Sequence, residues 1–284
     1  MTLLPLGYLK AVVSLGVLQA SGTFSHNGTG FLCRHPVLRA DDETMYGTFL
    51  VTNRHVVKDV THVRFNRLAD DAVDILPIVE LMPERTNLAW AFHETADVAA
   101  RPVAGGGTGP LTEGRDPAEV EVFITDIGAP NAEEKRCIVE GNGVFVLGFP
   151  MGLVGETRNY PIVRHGVVAR IQDYLRGEAP TFLIDSLAFP GNSGGPVIVE
   201  PQQTAVQGTT ATTHALLIGV VSRYIPYTDV AVSAQTKRAR ITFEENSGLA
   251  EVVPIDTIKE VLTESISSAS VADGYRWVPR HPGR

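Results

Sequence analysis

Short runs rich in valine, isoleucine and leucine, each bounded by turn-forming residues, recur along nearly the whole chain and point to an all-β architecture. Residues of this kind suit a pleated, half-buried surface better than a helix interior. The predicted strands are 10–18, 29–34, 47–52, 62–65, 75–80, 88–92 and 98–103, then 121–125, 143–148, 162–171, 181–186, 196–199, 215–221 and 239–243. Between the two sets, residues 104–119 hold Gly105-Gly106-Gly107 and Gly109-Pro110 without apolar periodicity, and read as a loop or surface insertion. Residues 202–213, rich in Thr and Gln, read as a solvated hairpin loop. One helix is expected near the end, capped by Asp256, with Ile255, Ile258, Val261, Leu262 and Ile266 near one face and Lys259 and Glu260 opposite.

A chain of 284 residues can bury a substantial core in one or two domains. Its net charge of −8 gives no reason to expect nucleic acid or an anionic membrane as partner. Two cysteines, Cys33 and Cys137, are too few for a disulfide framework and are expected to be free thiols in a reducing compartment. The apolar N-terminus lacks the basic start and the clean cleavage site of a secretion signal, and reads instead as a first strand. No run approaches the roughly 18 apolar residues of a membrane span. Cytoplasmic residence is therefore the expectation, with export by an unrecognised route as the alternative.

The segment Pro190-Gly191-Asn192-Ser193-Gly194-Gly195-Pro196 carries the chemistry. A serine hydroxyl is a weak nucleophile at neutral pH and needs a base beside it and donors waiting for an oxyanion. The small residues around Ser193 let the backbone turn sharply, so that the N–H groups of Gly191 and Ser193 can point into one hole. The bland alternative is a Gly/Pro turn that happens to hold a serine, and the existence of partners decides between the two. Thr52-Asn53-Arg54-His55-Val56-Val57 closes the apolar run Gly47-Thr48-Phe49-Leu50-Val51. An imidazole at a strand end suits a general base, because this side chain titrates near neutral pH. Asp97, within Ala96-Asp97-Val98-Ala99, is an acid in a small apolar setting; it should be buried, and a buried carboxylate needs a donor such as an imidazole N–H. His26, His35, His62, His93, His165, His214 and His281 lack the setting of His55 and read as surface or loop histidines. Asp70, Asp71 and Asp74 lie in a polar stretch close to His55, and Asp185 reads as part of the strand leading to Ser193. No metal-ligand cluster, phosphate loop or dinucleotide fingerprint appears, so neither cofactor nor metal is expected.

The three segments, in the order His, Asp, Ser, resemble the trypsin/chymotrypsin-like serine proteases, and Asn192 before the serine is most similar to the Deg/HtrA branch. Further segments share the resemblance: Gly28-Thr29-Gly30-Phe31-Leu32, Val146-Leu147-Gly148-Phe149-Pro150-Met151-Gly152, His165-Gly166-Val167-Val168 and Ile218-Gly219-Val220-Val221-Ser222. It implies two six-stranded antiparallel barrels of the chymotrypsin-like fold with a closing C-terminal helix. Residues 1–125 would carry His55 and Asp97, residues 126–270 Ser193 and the helix, and 271–284 a tail. It implies a serine endopeptidase acting on protein or peptide substrates, with Ser193 as nucleophile, His55 as base, Asp97 fixing the imidazole, and Gly191 and Ser193 as the oxyanion hole.

The resemblance also implies a specificity pocket with Leu187 at its floor, six positions before the nucleophile, and hence an apolar or small preference before the cleaved bond. Ser222 belongs to the segment expected to pair with substrate backbone, and Arg223 and Tyr224 to narrow the cleft. Asn192 and the lack of a zymogen-type start imply an enzyme active as synthesised, and the few residues after the helix leave no room for a PDZ module. A catalytically idle protease fold that binds proteins, and an esterase on the same fold, are the rival readings.

Overall fold

The computed structural model describes residues 4–38, 44–67, 70–81, 89–104, 123–124, 129–202 and 210–273. The expected all-β class with two β units and a C-terminal helix is what the chain adopts. The first unit is built from β1 (Val12–Leu18), β2 (Phe24–Leu38), β3 (Thr44–Thr52), β4 (His62–Asn66), β5 (Val73–Pro77), β6 (Ala91–Phe92), β7 (Ala99–Ala104) and β8 (Phe123–Ile124). Its antiparallel ladders run β5-β4-β1-β2-β3-β7-β6, and β8 adds a short parallel pairing to β2. The second unit comprises β9 (Gly143–Gly148), β10 (Ile162–Arg170), β11 (Phe182–Asp185), β12 (Pro196–Val199), β13 (Leu216–Val232) and β14 (Ala239–Pro254). These six close into an antiparallel barrel in the order β10-β11-β14-β13-β12-β9.

Short helices connect the strands: α1 (Leu6–Lys10), α2 (Arg54–Val57), α3 (Ala132–Cys137) and α4 (Gln172–Leu175), before the longer α5 (Ile255–Asp273). In α5, Ile255, Ile258, Val261, Leu262 and Ile266 are buried, as their spacing predicts. Asp256 lies inside the first turn instead of capping it, because its carboxylate is taken by Lys135 Nζ at 2.5 and 2.6 Å and by the Tyr174 hydroxyl at 2.5 Å.

One apolar core joins the units: Phe31 and Val51 of the first pack with Leu147, Phe149 and Leu217 of the second and with the buried face of α5. A polar tie reinforces it, in which buried Arg64 on β4 donates to Asn159 Oδ1 at 3.0 Å and to the Gly155 carbonyl at 2.5 Å. Both cysteines are free thiols, Cys33 buried in β2 and Cys137 at the end of α3. Among the described residues, no helix is long and apolar enough to cross a membrane.

The structure departs from the sequence reading where strands 215–221 and 239–243 were expected as short, separate elements. β13 and β14 instead run on as one long antiparallel ribbon, from Pro226 paired with Asn246 to Val232 paired with Ala239. Most of the insertion expected at 104–119, residues 203–209 of the Thr/Gln-rich loop, and residues 274–284 of the tail lie outside the described residues.

Candidate active site

β3 ends at Thr52 and the chain turns at once into α2, whose single turn is anchored by buried Val56 and presents His55 with 47% of its side chain exposed. Asp97 stands just before β7, at the end of a loop whose shape is fixed from two sides. His93 Nδ1 accepts the N–H groups of Thr95 and Ala96 at 3.2 and 2.9 Å, and Asn53 Nδ2 donates to the Asp97 carbonyl at 2.7 Å. The loop brings Asp97 Oδ2 to 2.7 Å from His55 Nδ1, while Oδ1 accepts the His55 backbone N–H at 3.1 Å. An ionised carboxylate can only accept, so Nδ1 carries the hydrogen and Nε2 is left as the basic nitrogen. Ser222 Oγ adds a third donor to the carboxylate, reaching Oδ2 at 2.8 Å.

Asp97 is half-buried, not fully enclosed as its Ala/Val setting suggested: 31% of its side chain is exposed. Burial pushes its pKa up, but the His55 ring, the His55 N–H and Ser222 outweigh that and hold the carboxyl below the ordinary range.

Ser193 is set by a loop clamped against the first unit. Fully buried Thr29 is the clamp: its N–H donates to the Ser193 carbonyl at 2.9 Å and its hydroxyl to the Gly191 carbonyl at 2.6 Å. The Phe149 N–H in turn donates to Thr29 Oγ1 at 3.1 Å, and Thr52 Oγ1 donates to the Thr29 carbonyl at 2.7 Å. Gly191 and Gly194 both have left-handed backbone, with φ of +97° and +86°. A Cβ on Gly191 would land on the Phe149 carbonyl oxygen, and one on Gly194 on the Thr29 carbonyl oxygen. Glycine is needed at both.

The same loop aims two backbone donors. The Pro190 carbonyl accepts Met151 N–H at 2.7 Å and the Asn192 carbonyl accepts Gly195 N–H at 2.9 Å. Across a trans peptide the N–H points opposite to its carbonyl, so the N–H groups of Gly191 and Ser193 are turned away from those partners. Among the described residues, neither donates a hydrogen bond.

His55 and Ser193 line one cleft, together with Ala188, Phe189, Pro190, Asn192, Val221, Ser222, Arg223 and Tyr224. The Ser193 hydroxyl donates to the Ser222 carbonyl at 3.2 Å, and among the described residues no hydrogen bond joins it to His55. Arg223 Nε is paired with Glu251 at 2.5 Å. Leu187 is not brought to the cleft: buried Ser186 and Ala188 flank it while its own side chain is 49% exposed. The chain has left β11 at Asp185, and Ala188 and Phe189 stand on the lining where Leu187 was expected.

Sequence reasoning missed three supports of the site: Thr29, the hydroxyl of Ser222, and His93. The first two lie in motifs read for other reasons, and only the fold shows that they cross between units.

Residues 28–206, well over half of the chain, match the trypsin-like peptidase domain family. A comparison with curated proteins finds no match. Among solved structures, a variant of the HtrA-type protease AlgW with a decapeptide is 14% identical, with a TM-score of 0.43 over 93% of this chain and 64% of that one. This chain thus spans less than two thirds of that protein's length. The MamO protease domain from Magnetospirillum magneticum, in its apo form, is 15% identical, with a TM-score of 0.44 over 90% and 97% of the two chains. The protein HBP is 12% identical, with a TM-score of 0.49 over 100% of this chain and 98% of that one.

Proposed function

From the premise that the chain belongs to the trypsin-like peptidase domain family, we propose that it is a serine endopeptidase working through Ser193, His55 and Asp97. The observation that carries this reading is the 2.7 Å bond between Asp97 Oδ2 and His55 Nδ1, made beside a cleft that His55 shares with Ser193. The Ser193 hydroxyl turns from the Ser222 carbonyl towards His55 Nε2, which takes its proton as Oγ attacks the scissile carbonyl carbon. The negative oxygen that forms is held by the Gly191 and Ser193 N–H groups. His55 then gives the proton to the leaving amine, and the acyl-serine is released by a water that His55 deprotonates in the same way. Asp97 keeps Nδ1 protonated and stabilises the imidazolium; it does not take the proton itself. The substrate is a peptide segment lying along the exposed part of the cleft. We assign residues 1–125 and 126–270 to the two units between which the cleft forms.

A serine-directed fluorophosphonate tests the reading directly. Wild-type protein is expected to be labelled on Ser193, and Ser193→Ala to remain unlabelled while melting at the same temperature. A folded wild-type protein that resists the reagent would favour an idle, protein-binding fold. Labelling combined with turnover of esters but of no peptide would favour an esterase.

A further inference from the structure

Beyond Tyr224, β13 and β14 leave the barrel as a two-stranded ribbon. Every residue from 239 to 245 is exposed, and among the described residues β14 pairs with β11 only over Phe182–Asp185 and its partners Leu249 to Val252. The outer edge of residues 239–245 therefore offers unpaired backbone N–H and C=O groups. The ribbon is also apolar for a surface element: Tyr227, Ile241 and Phe243 are 59%, 57% and 51% exposed. The register, Tyr227 with Glu245, Asp229 with Phe243 and Ala231 with Ile241, puts these three large side chains on one face. A free edge flanked by apolar side chains is a template for pairing, which proteins commonly guard with lysine or proline. Residues 239–245, Ala-Arg-Ile-Thr-Phe-Glu-Glu, contain neither.

We propose that this edge pairs with the same edge of a second copy of the chain, β14 against β14, antiparallel about a two-fold axis through Thr242. The argument is self-complementarity. A two-fold perpendicular to the sheet sets Ile241 opposite Phe243 of the second copy and brings Arg240, which the β13–β14 register passes over as a bulge, towards its Glu244, and repeats both pairs by symmetry. Opposite charges and apolar–aromatic contacts are the side-chain pairs that stabilise adjacent strands. Centring the axis on Glu244 instead would set two Glu244 side chains against each other, and centring it on Phe243 would set Glu245 against Ile241, so both of these registers lose complementary pairs. The union also gives the ribbon what it lacks alone. Two strands in water are marginally stable, and two ribbons joined edge to edge make a four-stranded sheet. On one face of that sheet Ile241 and Phe243 of both copies form a continuous apolar cluster. The two Arg–Glu pairs flank that cluster.

Sedimentation of the full chain decides the matter. Wild-type protein is expected at twice its monomer mass of 30.6 kDa, dissociating on dilution. R240E places like charges against Glu244, and E244R places like charges against Arg240; each variant alone should sediment as a monomer. Mixed in equal amounts the two variants are complementary again at both pairs, and the mass should return to that of a dimer. That rescue also shows that each variant is folded. A wild-type chain that stays monomeric wherever it is soluble, a dimer that survives either single change, or a mixture that stays monomeric would overturn the proposal.

Discussion

Ser222 Oγ and His55 Nδ1 converge on one atom, Asp97 Oδ2, at 2.8 and 2.7 Å. The Ser222 carbonyl meanwhile accepts the Ser193 hydroxyl. One residue at the edge of the barrel therefore braces the Asp97 carboxylate of the first unit and holds the Ser193 hydroxyl of the second. Thr29 makes the reciprocal connection, reaching from β2 to hold the carbonyls on either side of Asn192.

Ser222→Ala removes a donor to a carboxylate, which is worth about 1.5–3 kcal/mol. Because Asp97 keeps both bonds from His55, the loss should fall at the lower end, roughly a tenfold drop in kcat with KM little changed. Steady-state kinetics on a peptide substrate, beside thermal melts, would show it. An unchanged kcat would mean that the third donor contributes nothing to the orientation of His55.

Ser193→Ala, His55→Ala and Asp97→Ala should each remove most peptidase activity and leave the fold intact. Groups that act as a unit are grossly non-additive, so the triple variant should be little slower than Ser193→Ala alone. Single-turnover rates would settle this. Losses that simply multiply would mean the three do not act together.

The all-β class was legible because nearly continuous burial in strands such as β1 and continuous burial in β9 leave Val/Ile-rich runs with turn residues between them. His55, Asp97 and Ser193, which the fold brings to one cleft and one hydrogen bond, could be singled out because each sits in a local string whose chemistry is visible without the fold. Of the ribbon only residues 239–243 were legible as a strand; their pairing with Pro226–Val232 and their continuation into the barrel were not, since the ribbon mixes charged and apolar residues with no core behind it to impose a pattern. Leu187 was placed by counting residues back from Ser193, and a count does not tell where a side chain points once the strand has ended at Asp185. The roles of Thr29 and Ser222 depend on contacts between residues 162 and 125 positions apart, which no local reading reaches.

His26 should make stability fall as the solution is acidified. It bonds Ser14 Oγ through Nδ1 at 2.7 Å and meets Phe149 edge-on, beneath the Gly191 turn. Burial pushes its pKa down to about 4, while the nearby Gly191 and Phe149 backbone pulls weakly the other way. As pH falls from about 6.5, the unfolded chain takes up a proton that the folded chain refuses. The stability is therefore intact above about 6.5 and is lost down to about 4, by up to roughly 3 kcal/mol. Asp97 acts in a different window, because its lowered pKa matters only below the ordinary carboxylate range. Urea titrations at pH 7 and pH 5 should show the loss in wild type and a flatter profile in His26→Asn. An equal slope in both would assign the effect to another group.

Cleavage should favour an apolar or small residue before the scissile bond and discriminate against Lys and Arg. A buried cation must be paired, and no carboxylate stands among the described residues that line the cleft. The charge that does stand there is positive: Arg223 borders the cleft, although its pairing with Glu251 draws the guanidinium aside. Ala188, Phe189, Val221 and Tyr224 supply an apolar lining, in place of the Leu187 floor. In such a pocket one methylene is worth only about 1–3 kcal/mol, so the preference among apolar residues should be shallow and the rejection of cations steep. A peptide-library profile would show both features. Phe189→Ala should widen the accepted range, while Leu187→Ala, on the outward face, should leave the profile unchanged. If Leu187→Ala shifted the profile and Phe189→Ala did not, the pocket would lie on the other side of this segment.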